Sequence, residues 1–304
     1  MMMVRKAAGA FVAVAVAMLA MAQSALAQAG FGAPTPWQMN FQEPATPVMA
    51  EIVTFHNFLT VLITVISLFL LGLLLYIIWR FNAKANPVPS KNTHNTMLEV
   101  VWTVIPVAIL VIMAIPSFRI LYKSDVVPDV AKVRQWYPEI NVAANPIDIK
   151  ATGNQWFWSY EYPAERVRFD SFCGMGPIEG ACFEQPGPQG APANRPRLLE
   201  TTEHVLVPVN TLVRLLVVGQ DVIHAWAIPA FGVKIDAVPG RTNEAWFIAT
   251  REGTYFGQCS ELCGQGHGYM PITVEVVSRA RYDAWVGQKR ADLAVKDGIK
   301  FAAN

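Results

Sequence analysis

The sequence predicts two membrane-spanning helices followed by an all-β sandwich or barrel domain, and three observations support this. Hydrophobic residues make up 53% of the 304-residue chain and charged residues only 15%, against about 25% charged in a typical soluble domain. Two uncharged apolar runs lie in the N-terminal half. From Lys123 onward they give way to short β-branched segments bounded by turn residues, the pattern of an all-β domain.

Residues 1–27 are typical of a cleaved secretory signal. Arg5 and Lys6 give a positive start, "AGAFVAVAVAMLAMA" is the apolar stretch, and "ALA" at 25–27 is a small-residue cleavage pattern. The alternative is a lasting N-terminal membrane helix, which the short, Ala-rich stretch disfavours. Cleavage would leave 28–52 as a periplasmic N-terminal segment and shift the net charge from +1 to −1. Nothing in that balance suggests a nucleic-acid partner.

The two apolar runs predict a helical hairpin in the lipid bilayer. Residues 58–79, "FLTVLITVISLFLLGLLLYIIW", carry no charge, and 100–118, "VVWTVIPVAILVIMAIPSF", form the second run. A bilayer core needs about 20 apolar residues as helix. Pro106 and Pro116 should kink the second helix, which membrane helices tolerate. The predicted hairpin covers 53–122, with helices at about 53–80 and 98–120 and a cytoplasmic loop at 81–97.

Charge asymmetry sets the predicted orientation. The connecting loop carries Arg80, Lys84 and Lys91 without an acidic residue, whereas the N-terminal segment carries Glu43 and Glu51 without a basic one. By the positive-inside rule the loop is cytoplasmic. We therefore expect a two-pass protein of the bacterial inner membrane, with its N-terminus and C-terminal domain in the periplasm.

The β domain is predicted over 123–290, followed by a polar tail at 291–304. It contains a Gly- and Pro-rich loop insertion at about 171–197, which includes Cys173 and Cys182. In an oxidising compartment a disulfide is the expected state of such a pair. Two free thiols are the alternative.

The segment "CSELCGQGHGYM" at 259–270 holds Cys259, Cys263, His267 and Met270 in a C-x3-C-x3-H-x2-M pattern. A disulfide between the cysteines would leave the histidine and the methionine without a role. Zinc sites use thiolate, imidazole and carboxylate ligands. Cysteine, histidine and methionine together are the ligands of copper electron-transfer sites, so the pattern favours copper.

This loop differs from a mononuclear blue-copper site, which uses two histidines, one cysteine and a weak axial methionine. The loop has one cysteine too many and one histidine too few. His224, in "DVIHAWAIPAFGVKIDAVPGR", is the candidate for the second imidazole. The extra thiolate suggests two copper ions bridged by both sulfurs.

Four motifs in this order resemble subunit II of haem–copper cytochrome c oxidases of the bacterial and mitochondrial kind. They are "LEVVWTVIP", "GNQWFWSYEYP", "DVIHAWAIPAFGVKIDAVPGR" and "YFGQCSELCGQGHGYMP". The resemblance covers nearly the whole chain after the signal and implies a cupredoxin-like, Greek-key β domain. Quinol-oxidising relatives lack the copper ligands, all of which are present here. The C-x-x-C-H motif of relatives with a fused c-type cytochrome is absent.

The resemblance implies the binuclear copper centre CuA. By matching positions, both cysteines bridge the coppers, the two histidines bind one copper each, and Met270 and the backbone carbonyl of Glu261 are weak ligands. The Glu261 side chain would bind a Mg²⁺ shared with subunit I, a hard ion that prefers oxygen. Asp236 would lie near that ion without binding it directly.

Further residues take their expected roles from the same resemblance. Trp156 would be the surface residue through which cytochrome c passes its electron, although it could also belong to an aromatic core cluster. Alternation on a strand would put Trp156 and Trp158 on one face. Glu99 would lie near the mouth of a proton-uptake path in subunit I, or simply at the membrane interface. Glu161, Asp170 and Asp221 match acidic positions that dock the basic cytochrome c.

The sequence therefore predicts the electron-accepting subunit of a proton-translocating cytochrome c oxidase. It would take single electrons from cytochrome c at CuA and pass them to haem a of subunit I, where O₂ is reduced to water. The chain would be an enzyme only within the complex with subunit I and the other subunits. The alternatives are a membrane-anchored copper-binding or copper-delivery protein without catalysis, and a purely structural subunit.

Overall fold

The computed structural model describes residues 31–35, 37–88, 90–175, 178–179 and 198–296. The predicted signal at 1–27 and most of the insertion lie outside these residues. The α-helices of the described part are α1 (Pro47–Arg80), α2 (Thr96–Asp125), α3 (Val130–Trp136) and α4 (Arg279–Lys296), and two short 3-10 helices span Pro229–Phe231 and His267–Tyr269. Its strands are β1 (Phe31–Gly32), β2 (Ile147–Asn154), β3 (Phe157–Tyr162), β4 (Val167–Ser171), β5 (Gly174–Met175), β6 (Ile178–Glu179), β7 (Val205–Pro208), β8 (Leu212–Gly219), β9 (His224–Ile228), β10 (Val233–Ala237), β11 (Asn243–Ile248), β12 (Gly253–Gln258) and β13 (Pro271–Val277).

Helices α1 and α2 are both long and apolar enough to cross a membrane. Each begins at a capped end, before the apolar run starts. The Thr46 side chain accepts from the Met49 N–H, and Pro47 occupies the first turn. The Asn95 side chain caps α2 in the same way, and α2 continues through both of its internal prolines. The helices therefore start several residues earlier than apolarity alone predicts.

A polar cluster joins the hairpin to the β domain. Lys123 in α2 is 9% exposed, and its Nζ lies 2.5 Å from Oε1 of Glu51 in α1. The same carboxylate accepts from the Tyr137 hydroxyl at 3.0 Å, and the Lys123 backbone carbonyl accepts from the Trp246 indole at 2.9 Å. Because Trp246 belongs to β11, these bonds connect both membrane-length helices to the sheet.

The β domain is a sandwich of two sheets around one apolar core. The larger sheet has the strand order β11-β8-β2-β3-β4, and the other contains β12, β13 and β7 in that order. Strands β2 and β8 run parallel, as do β13 and β7. Inward residues of both sheets, such as Ile149, Trp158, Leu215 and Val274, are almost completely buried and pack in one cluster. Strands β9 and β10 form a separate antiparallel pair.

Helix α4 closes the described part of the chain. Its Tyr282 is 1% exposed and its Val286 is 7% exposed, and both belong to the main core cluster. Lys289 of α4 bonds Glu203 at 2.7 Å. The helix runs through Lys296, so it crosses the boundary at 290 where the sequence predicts a polar tail.

Cys173 lies at the edge of the insertion. It is 3% exposed, forms an isolated antiparallel bridge with Thr201, and is disulfide-bonded. Cys182 lies outside the described residues. The predicted pairing of these two cysteines therefore stays a prediction.

Candidate metal centre

The loop 259–270 connects β12 to β13. These strands are antiparallel, with Gln258 opposite Pro271, so the two ends of the loop lie side by side. The Cys259 N–H donates to the Met270 carbonyl at 3.3 Å. The loop therefore folds back on itself and brings its first and last candidate ligands together.

The same loop is fixed to β9, the strand that begins with the predicted ligand His224. The Ser260 N–H donates to the Ala225 carbonyl at 3.0 Å, and Ala225 follows His224 at the start of β9. His224 is fully buried. This backbone hydrogen bond holds β9 against the loop and thus places the distant histidine beside the loop ligands.

Three sulfur atoms converge inside this loop. Sγ of Cys259 lies 3.9 Å from Sγ of Cys263, which in turn lies 3.5 Å from Sδ of Met270. The three residues are 5%, 4% and 1% exposed. A disulfide bond is about 2.05 Å long, and both cysteines are free. The disulfide alternative for this pair is therefore excluded.

Each thiol lies close to an imidazole nitrogen. Nδ1 of His224 lies 3.9 Å from Sγ of Cys259, and Nδ1 of His267 lies 3.6 Å from Sγ of Cys263. The Glu261 backbone carbonyl lies 3.3 Å from the Cys259 sulfur. The ligand atoms of His224, Cys259 and Cys263 all lie within 4.8 Å of one another. All six predicted ligands thus meet in one small volume.

The two thiols differ in acidity. Burial raises the pKa of Cys259, but hydrogen bonds with His224 and with the backbone of Glu261 and Ala225 outweigh burial and lower that pKa to about 7. Burial and the neighbouring Cys259 raise the pKa of Cys263 to about 12. One negative charge is therefore easily accommodated, whereas a second needs a cation nearby.

The donor set fits copper. Two thiols, two imidazole nitrogens and a thioether are soft or intermediate ligands, and copper electron-transfer sites use this combination. Zinc sites use thiolate, imidazole and carboxylate but not thioether. The ligand atoms of His224, Cys259 and Cys263 lie close enough together to hold a metal ion.

Trp156 lies directly on the cysteine loop. Its indole N–H is 3.4 Å from the Cys263 carbonyl, which also accepts from the Gln155 side-chain amide at 2.7 Å. The ring is half-buried and packs over Gly264 and Gly266. A β-carbon on Gly264 would lie 3.2 Å from the ring, and that glycine has a φ of +122°. Gly264 and Gly266 are therefore needed for the contact of this loop with the tryptophan.

Two contacts with the ligands were not predicted. A β-carbon on Gly153 would lie 2.8 Å from Cδ2 of His224, so only glycine leaves room for that ring. Trp158 is fully buried, donates from its indole to the Met270 carbonyl at 3.3 Å, and has its ring 6.0 Å from the His224 ring. The sequence feature that could have indicated these two contacts is the glycine and the tryptophans of "GNQWFWS".

Trp156 and Trp158 do not share a strand face. Strand β3 begins at Phe157, and Trp156 belongs to the turn before it. The expectation from strand alternation was therefore wrong. Alternation applies only from Phe157 onward, where Trp158 points into the core.

The predicted acidic positions fall into different surroundings. Glu261 and Asp236 have exposed side chains, and Asp236 precedes the residue that pairs with His224 across β9 and β10. Glu161 and Asp170 are exposed and line one surface groove against α4. Asp221 instead bonds the ring of His224, with Oδ1 2.8 Å from Nε2.

Glu99 belongs to another part of the chain. It lies in the first turn of α2, and its Oε1 accepts from the Asn95 N–H at 3.3 Å. With the Asn95 side chain accepting from Leu98, this forms a reciprocal cap of the helix. Capping is thus a local structural role for Glu99, alongside the predicted one near a proton path.

Comparison with known proteins identifies the chain's relatives. The family model for the periplasmic domain of cytochrome c oxidase subunit II matches residues 147–277, and the model for its transmembrane domain matches 34–120. A probable cytochrome c oxidase subunit 2 of Rickettsia bellii (strain RML369-C) is 43% identical over 272 residues, which cover 89% of this chain and 91% of the relative. Cytochrome c oxidase subunit 2 of Cereibacter sphaeroides is 42% identical over 265 residues, 85% of this chain and 82% of that protein.

Among solved structures, the periplasmic domain of subunit II of cytochrome oxidase from Bradyrhizobium japonicum matches with 45% sequence identity. The match covers 50% of this chain and 98% of that structure, with a TM-score of 0.42.

Proposed function

This chain belongs to the family of cytochrome c oxidase subunit II, and we propose that it is the electron-accepting subunit of its oxidase. As a member of that family it is a two-pass membrane protein and a component of a haem–copper oxidase. In the proposed role it takes single electrons from cytochrome c and passes them to haem a of subunit I. Reduction of O₂ to water and proton pumping then take place in the complex, and this chain is not catalytic alone.

The observation that carries the proposal is the pairing of two free thiols with two imidazoles. Cys259 and His224 form one pair, and Cys263 and His267 form the other, with the thiols 3.9 Å apart. With copper bound by these four side chains, the centre would supply a site that accepts and releases one electron at a time. The protein's part is to hold the ligands rigidly, and the buried β12–β13 hairpin supports that role.

Trp156 is the proposed point at which electrons enter. Its half-buried ring has one side on the cysteine loop, and its indole N–H lies 3.4 Å from the carbonyl of Cys263. A single side chain therefore connects the surface to a residue that bears a ligand sulfur. This contact supports the proposed role, and Trp156 also packs against the main core cluster.

Two partner surfaces follow from the same arrangement. We assign Glu161, Asp170 and Asp221 to the docking of cytochrome c, with basic partner groups drawn by the negative charges. The tip of the metal loop, with Glu261 and the 79% exposed Leu262, would face subunit I. There the Glu261 carboxylate would bind Mg²⁺, with Asp236 nearby.

The membrane-length helices supply the remaining roles. Their placement in a bacterial inner membrane, with the β domain in the periplasm, is part of the proposal. Glu99, at the cytoplasmic start of α2, would lie near the proton-uptake path of subunit I. Its bond to the Asn95 N–H gives it a fixed position at the helix end.

Replacement of Trp156 by alanine in the assembled oxidase tests the proposed role. We expect slower electron transfer from cytochrome c with copper still bound. The control is Trp37→Ala, because Trp37 is 97% exposed in the N-terminal segment. Unchanged transfer kinetics in Trp156→Ala would refute the role of Trp156. A His267→Ala variant that assembles and still consumes oxygen would point to a purely structural subunit.

The rival function is a membrane-anchored protein that delivers copper. Such a protein needs an exposed, exchangeable site, whereas Cys259, Cys263 and Met270 are each at most 5% exposed. Exchange of bound copper with a competing chelator distinguishes the two functions. We expect slow exchange, and release of copper within the mixing time would favour delivery.

A further inference from the structure

We propose that Asp221 positions the ligand His224 and, through the same carboxylate, the turn that carries Trp156. This inference rests on the proposed function, because it concerns the residues that would hold and reach the copper centre. It gives Asp221 a task inside the chain that is distinct from the docking of a partner.

One oxygen of the Asp221 carboxylate contacts the ligand His224. Oδ1 of Asp221 lies 2.8 Å from Nε2 of His224, a residue with no exposed surface. A carboxylate only accepts hydrogen bonds, so Nε2 carries the proton and Nδ1 of the neutral ring keeps its lone pair. Nδ1 is the atom that faces the Cys259 sulfur. Metal-binding histidines are commonly oriented by a carboxylate in this way.

The other oxygen of the Asp221 carboxylate contacts the turn before β3. Oδ2 of Asp221 accepts from the Gln155 backbone N–H at 2.7 Å. The Gln155 side chain in turn donates to the Cys263 carbonyl at 2.7 Å, and Trp156 is the next residue. One carboxylate therefore joins the His224 side of the centre to the tryptophan side.

The geometry distinguishes Asp221 from the other predicted docking carboxylates. The Val222 N–H also donates to Oδ1 at 2.7 Å, so the carboxylate accepts three bonds from its own chain. Asp221 is exposed, as Asp170 and Glu161 are, so the difference lies in its hydrogen bonds and not in its burial. A negative charge at Asp221 can still attract a basic partner at long range. Its oxygens, however, are already engaged with protein donors.

The test compares Asp221→Ala with Asp221→Asn in the full-length chain, titrated with Cu⁺ against a competing chelator and then oxidised for spectroscopy. Alanine removes the hydrogen bonds to both His224 and Gln155. We expect copper affinity to fall about 10- to 100-fold with a changed copper spectrum and reduction potential. Asparagine keeps one acceptor oxygen but presents an amide to the other donor. We expect it to lose less affinity than alanine. Asp170→Ala and Asp170→Asn are the controls, both with wild-type copper binding.

A pure docking role predicts a different pattern. Alanine and asparagine remove the same charge, so both would leave copper affinity, spectrum and potential unchanged and would slow only the reaction with cytochrome c. That result would overturn the proposal. If Asp221→Ala does not fold, a wild-type affinity and spectrum in Asp221→Asn would overturn it equally. A wild-type chain that binds no copper pair would instead refute the proposed function itself.

Discussion

The indole ring of Trp156 lies directly against the backbone of Gly266. A β-carbon on Gly266 would stand 2.5 Å from Cγ and 2.7 Å from Cε3 of that ring, closer than real β-carbon contacts. Gly266 directly precedes the ligand His267. The position of the tryptophan and the path of the ligand loop therefore depend on each other.

Replacement of Gly266 by alanine should displace Trp156 or the loop. Such overpacking costs about 1–3 kcal/mol. Because the distance and orientation between Trp156 and the ligand residues would change, we expect electron transfer from cytochrome c to slow at least about ten-fold. Stopped-flow kinetics of the assembled oxidase measure this rate.

Gly268→Ala is the matched control, because a β-carbon at Gly268 meets nothing within 4 Å. It lies in the same loop, two residues away, and should leave the rate unchanged. Equal rates for both alanine variants and the wild-type would show that the contact of Trp156 with Gly266 does not affect electron transfer.

The ion pair of Lys123 and Glu51 should stabilise the junction between the hairpin and the β domain. The Lys123 side chain is 11% exposed and that of Glu51 is 30% exposed. Removal of one partner from a buried pair leaves an uncompensated charge, at a cost of about 3–5 kcal/mol when burial is complete. Because Glu51 is partly exposed, we expect Glu51→Gln to lower the free energy of unfolding by about 1–3 kcal/mol. Denaturant unfolding of the full-length chain in detergent measures it.

Glu43→Gln is the control for a surface ion pair. Glu43 pairs with Arg251 at 2.5 Å, but their side chains are 57% and 45% exposed. Exposed pairs contribute about 0–1 kcal/mol. If Glu51→Gln cost no more than Glu43→Gln, the junction would not depend on the buried pair.

The free energy of unfolding should decrease as pH rises because the His204 imidazole loses its proton. Burial lowers the pKa of this imidazole, but hydrogen bonds with Glu200 at 2.7 Å and with Glu275 outweigh burial and raise the pKa to about 9. The folded value lies above the ordinary 6.5, so protonation of His204 stabilises the fold. This contribution is complete below pH 6.5 and is lost as pH rises through about 9. At about 1.4 kcal/mol per pKa unit it amounts to at most about 3.5 kcal/mol, and solvent screening reduces it.

His204→Gln isolates that contribution, because glutamine does not titrate. The difference in unfolding free energy between wild-type and variant should shrink from pH 6.5 to pH 9. Arg281, which pairs with Glu275 at 2.6 Å, stays charged throughout this range. A difference that is constant with pH would contradict the assignment.

Thiol labelling tests the state of the cysteines in the insertion. Cys259 and Cys263 are free, and Cys173 is disulfide-bonded. In denaturant without reductant, we expect a metal-free chain to label at Cys259 and Cys263 only, and at Cys173 and Cys182 after reduction. Labelling of Cys173 without reductant would exclude the disulfide.

The fold and the ligand loop were predictable because their signals are local. Apolar length alone predicts both helices, and the caps at Thr46 and Asn95 explain why they begin before the apolar runs. The four ligands of the loop lie within twelve residues, so their spacing is visible in the sequence. Only His224 had to come from another strand, and the bond of Ser260 to Ala225 explains how it reaches the loop.

What the sequence could not predict depends on long-range contacts. The start of β3 at Phe157 leaves Trp156 in a turn, and no local pattern indicates which residue of a tryptophan-rich segment begins the strand. Asp221 was predicted as a docking residue because it matches an acidic docking position of the family. Its contact with Gln155 crosses 66 positions of sequence and leaves no local pattern. The sequence placed the end of the domain at 290, whereas helix α4 continues to Lys296. Its buried apolar face, with Tyr282 and Val286, is narrow and hard to recognise within a polar sequence.

The most direct test of the central claim is copper content together with electron paramagnetic resonance of the copper-loaded, full-length chain. Two thiols that each contact one imidazole predict two copper ions per chain. They also predict a hyperfine pattern from one unpaired electron shared equally by two copper nuclei. One copper per chain, with the hyperfine pattern of a single nucleus, would contradict the account.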